Sequence, residues 1–146
     1  METVNHKIRR LIRYYEHLSS RDPVTIARYA GIQIAVLPLG NISGNYKLLK
    51  RKRWIFINED IPSDSSLFRV VVAHELGHAL LHRKENCAFL KNKTLLLTSG
   101  IEREANLFAA SLLISDEMLQ DYTVYTQDQF CQCTGYPKEL LELRLK

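Results

Sequence analysis

Two histidines, His74 and His78, stand four residues apart with a carboxylate, Glu75, beside the first, inside a stretch (residues 70–81) that is otherwise apolar. On a helix this spacing puts both imidazoles on one face, a single turn apart, where they can share one metal ion. Glu75 is then placed to act on a water at that metal rather than to ligate it. This H-E-x-x-H order is the arrangement with which a zinc site hydrolyses a peptide bond. The surroundings strengthen the reading. A helix that is apolar all round is a buried helix, and imidazoles and a carboxylate buried without partners cost several kcal/mol.

A catalytic zinc usually takes three protein ligands and leaves one position open, so a third ligand is expected elsewhere. Residues 101–110 offer two glutamates. At about 100° per residue, Ile101, Ala105, Phe108, Ala109 and Leu112 form an apolar stripe. Glu102 lies on one edge of it, with Asn106 one turn further along the same edge, and Glu104 lies off the other flank. Glu102 is the favoured ligand and Asn106 is placed to hydrogen-bond a ligating histidine. Glu104 is the alternative, and in a third reading both glutamates merely flank a core face. His82 extends the series, but an ion between His74 and His78 sits about 9 Å from it along a straight helix. It reads as a helix-end histidine favoured by the dipole, with substrate contact the alternative.

The elements that must position these groups follow from apolar spacing and breakers. Val4, Ile8, Leu11, Ile12, Tyr15 and Leu18 mark a helix. Asp22 as cap and Pro23 at the first helical position start a second, which Gly31 ends. Residues 32–37 read as a strand, 40–45 as a turn, and 46–49 and 54–58 as a hairpin joined through Lys47, Lys50, Arg51, Lys52 and Arg53. That basic cluster fits a solvated turn better than a nucleic-acid surface. The motif helix is expected from Pro62-Ser63-Asp64 to about His82; residues 83–100 are mostly polar and assigned to no element, with an apolar run at 95–97 and a stop at Gly100, and a helix covers 101–114. Short helices are expected near 115–119, at 127–133 and after Pro137. The fold class is α+β, a small sheet with helices packed against it.

The 146 residues, 46% hydrophobic and 25% charged, describe an ordinary globular chain. They read as one domain over 1–146 that includes a helical tail from 115. The +4 net charge is mild. Three cysteines fit a reducing compartment. Cys131 and Cys133 would point about 200° apart on a helix, which makes a shared metal there improbable. The opening residues lack an apolar signal core and no run reaches membrane-spanning length, so the expected location is the cytoplasm.

Ile55-Phe56-Ile57-Asn58, the run from Arg69 through His82, and Glu102-Arg103-Glu104-Ala105-Asn106 continuing to Ile114 together resemble the ImmA/IrrE family of bacterial zinc metallopeptidases. The resemblance covers roughly residues 25 to 145. It implies a zincin-like core with zinc on His74, His78 and Glu102, Glu75 as catalytic acid/base, and helix-turn-helix repressors as substrates, often those of mobile elements. Many relatives have a proline where this chain has Ser115, a difference that touches the loop leaving the helix. The expected function is a zinc endopeptidase that relieves repression. The rival is a non-catalytic module that inactivates or pairs with a helix-turn-helix partner, its zinc structural. Oxyanion stabilisation could fall to Tyr46, His82, Tyr122 or Tyr125. An extended substrate could pair with an edge strand near 54–58. The tail, 128–141, has a helix-turn-helix outline, but Glu139 and Glu142 would meet phosphates badly, so direct DNA binding is not expected.

Overall fold

The structure, a computed structural model, describes residues 2–84, 87–90 and 100–146. Among these are seven helices and four strands. Helix α1 (Val4–Leu18) is capped by Thr3 and turns Ile8 and Ile12 inward. Helix α2 (Pro23–Tyr29) starts where Asp22 accepts from the Thr25 amide, with Pro23 at its first position. Gly31, at φ 77°, turns the chain out of it.

Strands β1 (Gln33–Leu37), β2 (Ile42–Leu49), β3 (Lys52–Asn58) and β4 (Cys87–Leu90) form one sheet in the order β1-β3-β2-β4. β1 lies parallel to β3, and β2 pairs antiparallel with both β3 and β4. The expected α+β class is the observed one. Three expectations about the sheet need correction. Strand β3 is interior, flanked on both sides, so residues 54–58 offer no edge to a substrate; the edges are β1 and β4. Strand β2 begins at Ile42, inside the expected turn. Gly44 is there because a side chain would collide: a Cβ on it would stand 2.5 Å from Val71 Cγ1 and 3.1 Å from Glu75 Oε2, so the glycine marks a close approach, not a turn. Strand β4 was not foreseen, and the apolar run at 95–97 lies outside the described residues.

The β2–β3 hairpin turns through Lys50 and Arg51, both at positive φ (49° and 67°), the geometry of a two-residue hairpin loop. Lys50, Arg51 and Lys52 are exposed, whereas Lys47 and Arg53 are half-buried. Arg53 donates to the carbonyls of Ala79 (3.2 Å) and Ala30 (2.8 Å), satisfying helix-terminal acceptors that would otherwise lack partners.

Helix α3 (Ser66–Leu81) starts later than expected, because residues 62–65 form a turn that leaves Ser65 to cap the Phe68 amide. From Val70 to Ala79 every residue is buried. Helix α4 (Gly100–Leu113) crosses it closely: a Cβ on Gly77 would lie 3.1 Å from the Cα and carbonyl oxygen of Ala105. The rest is α5 (Asp116–Asp121), α6 (Gln127–Thr134) and α7 (Lys138–Leu145). Helix α6 carries a Thr126–Gln129 capping box and ends on left-handed Gly135, while α7 sends Leu140, Leu141 and Leu143 into the core. Two arginines from distant segments close the C-terminal end of α4, where its own last turn has no basic residue. Arg21 donates to the carbonyls of Ser111 (2.6 Å) and Leu112 (2.9 Å), and Arg144 to that of Ile114 (2.6 Å).

Candidate metal centre

Helix α3 presents His74 and His78 one turn apart, and α4 brings Glu102 across to both. Glu102 Oε2 lies 3.0 Å from His74 Nε2, and Oε1 lies 2.9 Å from His78 Nε2. One ligand atom from each residue falls within a common 4.8 Å. Atoms bound tetrahedrally to zinc at about 2.0–2.1 Å stand about 3.3 Å apart, so these separations are those of groups that can share an ion. His74 and His78 are buried, at 1% and 0% exposure, whereas Glu102 reaches partly into solvent. Asn106 is buried on the same edge of α4, its Oδ1 2.6 Å from His74 Nδ1. In a metal-ligating His74 that contact would hold the hydrogen on Nδ1 and leave Nε2, 3.0 Å from Glu102 Oε2, to face an ion.

The electrostatics fit a cation. Burial, outweighing the Glu102 contact, lowers the His74 pKa and keeps its imidazole neutral, the ligating form. Burial pushes Glu102 upward, but its contacts with His74 and His78 outweigh this and hold its carboxyl well below the usual range. Glu75, fully buried, is driven well above the ordinary carboxylate range by burial first and by the Glu102 charge second. Both Glu75 oxygens and His78 Nε2 are buried without a hydrogen-bond partner among the described residues; His78 Nε2 is close to Glu102 but not aligned with it for a hydrogen bond. Buried polar atoms are rarely left this way, and a cation at the three-ligand cluster, with a polar ligand beside Glu75, would satisfy all of them. The donor set of two imidazoles and one carboxylate suits a divalent metal, with zinc among those it fits.

Residues 27–146 match the family described as the IrrE N-terminal-like domain, peptidase M78. The chain belongs to the peptidase M78 family. The family expected from residues 55–114 is therefore the one found, and it is a metallopeptidase family. The chain is 36% identical over 140 residues to uncharacterized immunity region protein 2 of Bacillus phage phi105, covering 94% of this chain and 85% of that one. It is also 35% identical over 85 residues to metallopeptidase ImmA of Bacillus subtilis (strain 168), covering 58% of this chain and 44% of ImmA. Among the described residues no helix is long and apolar enough to cross a membrane.

The other candidates fall outside the M78 cluster. Glu104 lies 2.7 Å from His82 Nε2 and does not join the metal-facing group. His82 is the C-cap of α3, one residue past its last helical position. Tyr46 is fully buried and donates to the Arg83 carbonyl at 2.5 Å. Tyr122 and Tyr125 stack edge-on, and Tyr122 also packs on Phe130. Cys131 and Cys133 are free thiols on α6. Two features of the site escaped sequence reasoning, the close approach at Gly44 and the pairing of His82 with Glu104. The glycine offered a signal, since a Gly inside a strand pattern often marks a close contact.

Proposed function

We propose that this M78 peptidase is a zinc endopeptidase of the cytoplasm, with zinc on His74, His78 and Glu102 and Glu75 as general base. The observation that carries the reading is the cluster of two buried imidazoles and one half-buried carboxylate beside a buried Glu75 that has no hydrogen-bond partner among the described residues. A structural zinc site is closed by four protein ligands; three are present among the described residues, which favours catalysis over a purely structural ion. When bound, zinc would supply Lewis acidity to the scissile carbonyl and a water acidic near neutral pH. His74 and His78 offer neutral Nε2 lone pairs, and Glu102 offers the negative charge. Asn106 fixes the His74 ring by accepting from its Nδ1–H. Glu75 accepts a proton from the attacking water at a carboxylate oxygen and returns it to the leaving amine. The apolar wall of Val71 and the bare backbone of Gly44 keep bulk water from that carboxylate.

The proposed substrate is a helix-turn-helix repressor, and its cleavage relieves repression. Its support is the resemblance carried by residues 55–114 and the likeness to a phage immunity-region protein over 94% of the chain. Elemental analysis of the wild type and of Glu102→Ala tests the centre. About one zinc per chain is expected, lost or weakened in the variant. Full retention without Glu102 would move the third ligand elsewhere, and absence of zinc from the wild type would reduce the protein to a binding module.

A further inference from the structure

We propose that His82 and Glu104 form a chain of hydrogen bonds that orients His78 for the metal, which makes both of them positioning residues. The inference rests on the zinc reading above. Glu104 Oε1 lies 2.7 Å from His82 Nε2, and His82 Nδ1 lies 3.3 Å from His78 Nδ1. The direction of each bond follows from what each atom can do. A carboxylate only accepts, so His82 carries its hydrogen on Nε2. In its neutral form the His82 ring has one such hydrogen, which leaves Nδ1 as an acceptor. Of the two facing Nδ1 atoms, only that of His78 can then donate. His78 Nε2 is left with a free lone pair, and it is the atom that faces Glu102 at 2.9 Å.

The backbone makes this arrangement possible. His82 leaves helical geometry at φ −131°, ψ 51°, while its amide still bonds the His78 carbonyl at 2.7 Å. Its ring thereby turns back over that of His78, with centroids 5.4 Å apart. Helix α4 presents Glu102 to the metal-facing cluster and, two residues on, Glu104 to His82. His82 is 8% exposed and Glu104 35%, so the chain runs from solvent to the buried ligand. Asn106 offers His74 the same polarity, so that both ligands would present Nε2 to a bound ion. A carboxylate or carbonyl behind a ligating imidazole is a general device for fixing its ring; here a second imidazole is interposed.

The test is zinc affinity, measured by competition with a chromophoric chelator, for the wild type, His82→Ala, Glu104→Ala, Glu104→Gln and the double variant His82→Ala/Glu104→Ala. Glu102→Ala serves as the control for the zinc reading itself. Loss of either member of the chain should weaken zinc about 10-fold or more, while Glu104→Gln, whose carbonyl still accepts, should stay within about threefold of wild type. The double variant should bind no worse than His82→Ala, because the two act through one path. Nitrogen NMR of the metal-free protein should place the His82 hydrogen on Nε2. If His82→Ala and Glu104→Ala bind zinc as tightly as wild type while Glu102→Ala does not, the chain is overturned and the centre stands. If the wild type binds no more zinc than Glu102→Ala, the centre fails and the proposal with it. A hydrogen on His82 Nδ1 overturns the proposal without reference to metal.

Discussion

Glu75 has no partner among the described side chains, and its environment explains what it is poised to do. A carboxyl whose pKa is raised by burial is a stronger base once ionised, and a cation on His74, His78 and Glu102 would favour that ionised form. Glu75→Gln keeps the volume and removes the base. It should leave zinc bound and lower peptide hydrolysis by about 10²–10⁴-fold, the usual weight of general acid–base catalysis. Hydrolysis by that variant at the wild-type rate would remove Glu75 from the mechanism. At this scale much was legible from the sequence. The four-residue spacing of His74 and His78 is a local property of one helix, and the same holds for the shared edge of Glu102 and Asn106. The partnership of Glu104 with His82 was not legible. It depends on how two helices cross and on a departure from helical geometry at one residue, and neither is written in periodicity.

Between the elements, the site is made by the crossing of α3 and α4, and Gly77 sits in that crossing between the two histidines. Gly77→Ala would favour the isolated helix by about 1 kcal/mol. Its Cβ, however, would press on backbone atoms of Ala105 at 3.1 Å and on Phe108 Cβ at 3.2 Å, and backbone gives little. The helices must part by a few tenths of an ångström, which takes Glu102 away from the imidazoles. Zinc affinity should fall by about 10-fold, the scale of a disturbed ligand shell, while thermal stability changes little because the two effects oppose. Unchanged affinity would show that α4 yields without carrying Glu102 along. Caps and stops were readable here: Asp22 with Pro23, Gly31 and the breaks between α5, α6 and α7 are local chemistry. The sheet order was not. Strand β3 becomes central only because β1, just upstream of the hairpin, skips β2 and joins β3 in parallel, and no alternation pattern distinguishes an interior strand from an edge when both are short.

Across the whole molecule, α4 is held from two distant directions. Arg144 is mostly buried, and its bond to the Ile114 carbonyl is charge-assisted, whereas its partner Asp116 stands in solvent at 93% exposure. Arg144→Ala should therefore cost about 2 kcal/mol, the range for a hydrogen bond to a charged group. Asp116→Ala should cost about 0.5 kcal/mol or less, as exposed ion pairs do. Equal losses in urea denaturation would mean that the ion pair, not the carbonyl contact, carries the effect. The same clasp has a consequence for how the molecule is made. Synthesis is vectorial, so His74, His78 and Glu102 are all translated before Arg144 and the leucines of α7. Until those follow, Arg21 can already reach the Ser111 and Leu112 carbonyls, but the Ile114 carbonyl lacks its arginine and the apolar flank of α4 lacks its cover. A nascent chain thus carries all three metal-facing side chains before α4 has its full cover, and the last support of the centre is expected only after synthesis has moved well past it.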